Sequence, residues 1–171
     1  MTTILTREQA ITKVLERHGR DAIYVASTGY VSRAVHELAE AKHHVFYVQG
    51  SMGLAPAIGL GIALGTSRPV VVINGDASLL MALGSTHTIR DYAPPNFFHY
   101  VLDNGCHESV GGQPSARLEA SYPGVTEIFG VERAGKPPRV AVSPDANVRA
   151  IRDLLAGAKT SPVETAGPRA V

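Results

Sequence analysis

At 171 residues the chain amounts to a single domain, long enough to bury a proper core. Hydrophobic residues make up 44% and charged residues 18%, which excludes a disordered chain, and a formal net charge of +1 removes the electrostatic case for nucleic acid or an anionic membrane. The one cysteine, Cys106, excludes an intrachain disulfide, and the start MTTILTREQA carries no basic-then-apolar leader, so a cytoplasmic protein is expected.

In chain order, Thr6-Arg7-Glu8-Gln9 reads as a capping box opening a helix, with Ala10, Ile11, Val14 and Leu15 on one face. Residues 22–25 form a short apolar run, followed by Ser27-Thr28-Gly29. Residues 32–41 predict a helix with Val35, Leu38 and Ala39 inward. Residues 45–48 predict a strand ending at Gly50. Residues 53–64 are apolar all round, the pattern of a buried helix. The longest apolar stretch, residues 52–64, is too short to span a bilayer and is rich in glycine. Residues 70–73 predict a strand and residues 78–92 a helix, stopped by Pro94-Pro95. Residues 97–102 predict a strand that runs into Asp103-Asn104-Gly105. A loop rich in Gly, Pro and Ser follows to Pro123. A strand at 140–142 and a helix at 145–155 complete the pattern, with no internal repeat.

Strands alternating with helices, and strands that are apolar throughout, indicate an α/β fold: a parallel sheet with helices on both faces, in a single domain over residues 1–171. Ligands in such sheets sit beyond the carboxyl ends of the strands. The four strand ends carry Thr28-Gly29-Tyr30, Gly50-Ser51-Met52-Gly53, Gly75-Asp76-Ala77-Ser78 and Asp103-Asn104-Gly105-Cys106-His107. Asp76 follows the most apolar strand. A buried carboxylate is costly unless it is paired or binds a metal. Gly75 allows close backbone approach, the helix beginning at Ala77-Ser78 offers free N–H groups to phosphate, and Asp76 with Asn104 offers oxygen ligands to a hard cation. A diphosphate bridged through Mg²⁺ would account for all three.

The pairing of Gly75-Asp76-Ala77-Ser78 with Leu102-Asp103-Asn104, one strand-helix-strand interval apart, resembles the thiamine-diphosphate enzymes. The resemblance covers residues 20–115 and implies the diphosphate-binding domain fold. It implies Asp76, Asn104 and the Cys106 backbone carbonyl as Mg²⁺ ligands. Thr28, Gly29, Gly75, Ala77 and Ser78 would line the cofactor site, together with Gly50, Ser51 and Met52. The Gly50 carbonyl would accept from the aminopyrimidine 4′-amino group, and Met52 would support the bent cofactor. Ala77 stands where the family usually has glycine.

More narrowly, the segments from Thr28 to Arg33, from Gly50 to Ala55 and His107-Glu108-Ser109-Val110-Gly111-Gly112-Gln113-Pro114 resemble the phosphonopyruvate decarboxylases. The related sulfopyruvate decarboxylases share Gly-Ser-Met-Gly and are the alternative. The implied reaction is loss of CO₂ from a 2-oxo acid, giving phosphonoacetaldehyde from phosphonopyruvate. His107 is the expected catalytic group, since imidazole titrates near neutrality. Glu108, Ser109 and Gln113 are expected near substrate, in a flexible Gly-rich loop. The family's domain closes with Gly-Pro and an apolar strand, and here Gly167-Pro168 has little room after it.

In this family the activating glutamate comes from a separate pyrimidine-binding domain, for which this chain has no second segment. The resemblance therefore implies a β subunit that works with an α subunit carrying that glutamate, expected as α2β2, with self-association when alone. A distant alternative is a non-catalytic nucleotide-binding module. Its support is Gly59-Leu60-Gly61-Ile62-Ala63-Leu64-Gly65, which resembles a dinucleotide fingerprint but falls inside a predicted helix.

Overall fold

A computed structural model describes residues 4–157. One parallel sheet holds β1 (Ile23–Ala26), β2 (Val45–Tyr47), β3 (Val70–Gly75), β4 (Phe97–Asp103) and β5 (Glu127–Gly130), in the order β2-β1-β3-β4-β5. Around it lie α1 (Arg7–His18), α2 (Tyr30–Leu38), α3 (Ala55–Leu64), α4 (Asp76–Met81), α5 (Ser85–Tyr92) and α6 (Pro144–Ala156). The central strands are buried on both sides, which is why their sequences are continuous apolar runs. Tyr24, Ala26, Val71, Ile73, Tyr100 and Leu102 pack toward α1 and α2. Ile23, Val25, Val70 and Val72 pack toward α3, α5 and α6. The α/β architecture read from the sequence is thus the architecture observed. No helix among the described residues is long and apolar enough to cross a membrane.

The capping box forms as expected: Gln9 N donates to Thr6 Oγ1 at 3.1 Å and Thr6 N donates to Gln9 Oε1 at 2.9 Å. Four expectations need correction. The helix expected at 32–41 starts at Tyr30 and stops at Leu38, because Gly29 at φ 87° turns the chain straight out of β1 and Ala39 is already extended. The helix expected at 78–92 is two helices, α4 and α5. Leu79, Leu80 and Leu83 keep helical spacing across the break, but Ala82 leaves helical geometry at φ −130° and Gly53 packs against it.

The strand expected at 140–142 does not form, and a strand the sequence reading missed, β5, does. Val140 and Val142 pack against the core beside α1 and α2 instead. Part of each sheet edge is already occupied among the described residues. On β2, Tyr47 N donates to Asn147 Oδ1 at 2.9 Å and Asn147 Nδ2 donates to the Val45 carbonyl at 2.7 Å. On β5, the chain beside Leu5 makes an isolated bridge to Val131.

The helix expected to be buried all round is not. α3 buries Ala55, Pro56, Gly59 and Ala63, while Leu64 and the preceding Leu54 are 41% and 49% exposed. Gly59 lies so close to the sheet that a methyl there would overlap Val72 Cγ2 and stand 3.3 Å from Phe97 Cε2. The glycine run from Gly59 to Gly65 therefore belongs to α3 and its C-cap, and serves close helix–sheet packing rather than a phosphate turn. The closing strand considered for residues 167–171 lies outside the described residues.

Candidate active site

The chain leaves β1 toward β2 on one side and returns to β3 on the other, so the neighbours β1 and β3 form the switch point of the sheet. Their ends carry Ser27 and Gly75-Asp76. The β3–β4 register pairs Gly75 with Leu102, which sets Asp76 beside Asp103 and Asn104. Hydroxyls tie these ends together. Ser27 and Ser78 share a hydrogen bond of 3.0 Å, and Gly53 N donates to Ser78 Oγ at 3.0 Å. Gly50 N donates to Thr28 Oγ1 at 3.2 Å. The loop after β2 is thus fastened to both β1 and β3.

That loop is bent sharply. Gly50, Ser51 and Gly53 have φ of 77°, 41° and 95°, and Ser51 is the one described non-glycine residue with positive φ. A side-chain-bearing residue held in this region stores strain that surrounding bonds must impose, a pattern that clusters at ligand sites.

A cleft opens at the switch point. Thr28, Met52, Gly75, Asp76, Ala77, Ser78, Asn104, Cys106, His107, Glu108 and Ser109 all line it, as do Arg7, Ser27 and Tyr30. Gly29, Gly50, Ser51 and Gln113 were expected at the site but do not line this cleft. Gly29 backs onto the loop, where a Cβ would stand 2.7 Å from Ser109 Oγ. Gly50 and Ser51 form the neighbouring turn, and the Gln113 side chain folds against Gly111. The enclosed space is about 70 Å³, room for a few water-sized atoms and hence for the charged end of a ligand rather than a whole coenzyme.

Asp76 is 3% exposed, and its carboxylate accepts from Ser115 Oγ at 2.5 Å. Burial pushes the Asp103 carboxyl above its usual range, and the nearby Asp76 adds to that, while the Gly105 N–H opposes it. Two neighbouring carboxyls in a poorly solvated corner favour a cation between or beside them. Among the described residues no group of three or more His, Cys, Asp and Glu side chains could hold a metal. The donors present are instead a carboxylate, an amide and backbone carbonyls. Such a set suits a hard ion that completes its shell with ligand oxygens, so the residues fit Mg²⁺ carried by a diphosphate. Burial raises the Cys106 thiol, which gives no support to a nucleophilic role.

The loop after β4 is not slack, contrary to the flexible loop expected. Cys106 and Pro114 form an antiparallel bridge, His107 N donates to the Gln113 carbonyl at 2.8 Å, and Ser115 N donates to the Gly105 carbonyl at 3.0 Å. This closed hairpin holds His107 at the cleft. Glu108, expected at the substrate, turns inward. Its Oε2 accepts from Asn104 Nδ2 at 3.0 Å and Arg7 Nη1 at 3.2 Å, and its Oε1 accepts from Ala134 N at 3.0 Å.

Sequence reasoning missed Arg7, Ser27 and Ser115. Arg7 is 4% exposed and also donates to Glu8 and to the Gly135 carbonyl. The Tyr30 ring lies 5.6 Å from its guanidinium and 5.2 Å from that of Arg33. A buried arginine at a helix start resembles a surface one in sequence, and its partner Glu108 is 101 positions away.

Residues 25–157 match the family described as "Thiamine pyrophosphate enzyme, C-terminal TPP binding domain". The chain is 46% identical over 125 residues to a phosphonopyruvate decarboxylase of Streptomyces viridochromogenes, a match covering 73% of this chain and 31% of that protein. The chain thus spans about a third of that relative's length. It is 34% identical over 131 residues to a sulfopyruvate decarboxylase subunit beta of Methanococcus maripaludis, covering 77% of this chain and 70% of that one. A solved 2-oxoglutarate:ferredoxin oxidoreductase from Magnetococcus marinus superposes with a TM-score of 0.53 at 15% identity, over 88% of this chain and 57% of that chain, and shares the fold.

Proposed function

Since the chain belongs to the thiamine pyrophosphate enzymes, as their C-terminal TPP-binding domain, we propose that it is the β subunit of a thiamine-diphosphate-dependent phosphonopyruvate decarboxylase. The observation that carries this reading is the meeting of Asp76, Ser78 and Asn104 in one cleft at the sheet's switch point. When bound, thiamine diphosphate supplies the electron sink that lets a 2-oxo acid lose CO₂.

The chain's own residues bind and orient. Asp76, Asn104 and the Cys106 carbonyl would hold Mg²⁺, and the backbone at Gly75, Ala77 and Ser78 would meet the diphosphate. Thr28 lines the cleft, and Gly29 behind it makes room for the loop that carries Ser109. Gly50 and Ser51 present backbone groups to the pyrimidine, and Met52 supports the ring. His107 would exchange a proton at the reacting end, with Ser109 beside it in the cleft and Gln113 bracing the hairpin behind. The hydroxyl tether from Ser78 to Gly53 keeps the diphosphate side and the pyrimidine side of the site in one register.

The pyrimidine-binding half, with its activating glutamate, comes from an α subunit in an α2β2 assembly. The beta-subunit relative, of which this chain covers 70%, supports a split enzyme. The phosphonopyruvate relative is the more alike in sequence and supports the phosphonate substrate. Sulfopyruvate is the second reading, favoured by that same beta-subunit likeness.

The test is kcat/KM for phosphonopyruvate, sulfopyruvate and pyruvate, with the partner present. Preference for phosphonopyruvate is expected. A clear preference for sulfopyruvate moves the assignment to the second reading, and turnover of none of them removes the decarboxylase.

A further inference from the structure

We propose that Ser115 and Glu108 are positioning residues for the metal site, each orienting one of its two side-chain ligands, with Arg7 anchoring Glu108. The inference rests on the reading of Asp76 and Asn104 as Mg²⁺ ligands and assigns roles beyond it. Ser115 Oγ donates to one oxygen of Asp76, Oδ2, at 2.5 Å. This fixes the carboxylate's rotation and leaves Oδ1 as the oxygen to meet a cation. Glu108 Oε2 accepts from Asn104 Nδ2 at 3.0 Å. Asn104 Oδ1 also accepts from Cys106 N at 3.1 Å, so the amide is held at both ends in one orientation, with one lone pair of its oxygen left for a metal. Without the Glu108 bond, only the Cys106 N–H is left to keep the amide from flipping its N–H groups toward a cation. Glu108 in turn is held by the buried Arg7 at 3.2 Å and by Ala134 N at 3.0 Å.

Both positioning groups come from the hairpin after β4. The backbone pairing of Cys106 with Pro114 and of Gly105 with Ser115 sets their spacing. The hairpin therefore acts on the metal through its ligands, a role that a partner contacting a ligand commonly plays. Arg7, 4% exposed, adds an ion pair at 3.2 Å that holds the Glu108 side chain in place.

The experiment measures Mn²⁺ binding, by paramagnetic resonance of the free ion, with saturating thiamine diphosphate and the full chain assembled with its partner. Removing an outer partner of a metal ligand commonly weakens metal binding about 10–100-fold. Ser115→Ala and Glu108→Ala are each expected to do so. Ser115→Thr keeps the hydroxyl and Glu108→Gln keeps an acceptor for Asn104, and both should stay within about 3-fold of the parent, as conservative replacements that preserve the bond. Rescue by Thr and Gln separates positioning from a merely structural role. Wild-type affinity in both alanine variants overturns the proposal. Equal losses in the alanine and conservative variants overturn it as well. If the parent protein itself binds no Mn²⁺ with thiamine diphosphate, the failure lies in the cofactor reading, and the proposal falls with it.

Discussion

Two glycines of α3, two residues apart, should respond to alanine with opposite sign. A methyl at Gly59 overlaps Val72 Cγ2 and stands 3.3 Å from Phe97 Cε2 and 3.8 Å from Val25 Cγ2. Val72 is fully buried on β3 and stiff at χ1, so it cannot swing aside cheaply. Overpacking of this kind costs about 1–3 kcal/mol, and the gain in helix propensity of about 1 kcal/mol offsets only part of it. The overlap with Val72 is severe and puts the cost at the upper end, about 2–3 kcal/mol, so Gly59→Ala should lose roughly 1–2 kcal/mol net. At Gly61 a Cβ meets nothing within 4 Å. Gly61→Ala should gain about 0.5–1 kcal/mol from propensity and a stiffer unfolded chain. The two variants should then differ by roughly 2–3 kcal/mol, or several degrees in Tm for a domain of this size. The chain has no tryptophan, so urea unfolding is best followed by far-ultraviolet circular dichroism. Equal shifts of one sign, or a Gly59→Ala protein as stable as its parent, would refute the packing argument. Because α3 follows directly on the Gly50–Gly53 turn, a displaced helix should also loosen cofactor binding in Gly59→Ala but not in Gly61→Ala.

Asp76→Ala should abolish Mg²⁺-dependent binding of thiamine diphosphate in the assembled protein, since the diphosphate loses its bridge; undiminished affinity by calorimetry removes Asp76 from the site. His99 is fully buried, and desolvation lowers its pKa to about 4, with the Gly124 carbonyl opposing slightly. Its folded value lies below the unfolded 6.5, so the unfolded chain binds more protons between the two. Stability is then complete above about pH 6.5 and falls by roughly 3 kcal/mol as pH drops toward 4. Urea midpoints across that range should show the slope, and His99→Gln should flatten it; an unchanged slope assigns the loss elsewhere. Met81, 63% exposed, and Leu83 lie next to the Gly53 turn, and Leu54 follows it. Light scattering with size exclusion should find the lone chain self-associated and a heteromer with the partner; a monomer turning over 2-oxo acids unaided contradicts this.

The site was legible where chemistry sits at a strand end. Asp76 and Asn104 follow two apolar runs, and a parallel sheet must bring such ends together. The Gly50–Gly53 turn was legible because glycine spacing reports backbone shape directly. The positioning groups were not legible. Arg7 belongs to a capping box in sequence, and only folding brings it to Glu108. β5 escaped because Glu127, Ile128 and Gly130 are only partly buried or exposed at the sheet's edge, so the segment lacks the apolar run that marked β3 and β4. Val140 and Val142 misled for the opposite reason: they are apolar because they cover the core, and they pair with no strand. The break between α4 and α5 was hidden because leucine spacing records a buried face, whereas the break is set by contact with the distant Gly53.

The side chain of Asn147 occupies the outer edge of β2 as a further strand would, accepting from Tyr47 N and donating to the Val45 carbonyl. One amide thus saturates a donor and an acceptor that would otherwise recruit an extended segment from another molecule. At the other margin Leu5 bridges Val131 just past β5, so among the described residues part of each sheet edge is blocked. Backbone pairing along β2 is thereby disfavoured, which leaves the helical layers and the rim around the cleft as surfaces for side-chain contacts. Those contacts are made by side chains and can be selective, unlike an open row of backbone groups that accepts any strand. An edge blocked in this way favours contacts that discriminate between surfaces over contacts that accept any strand.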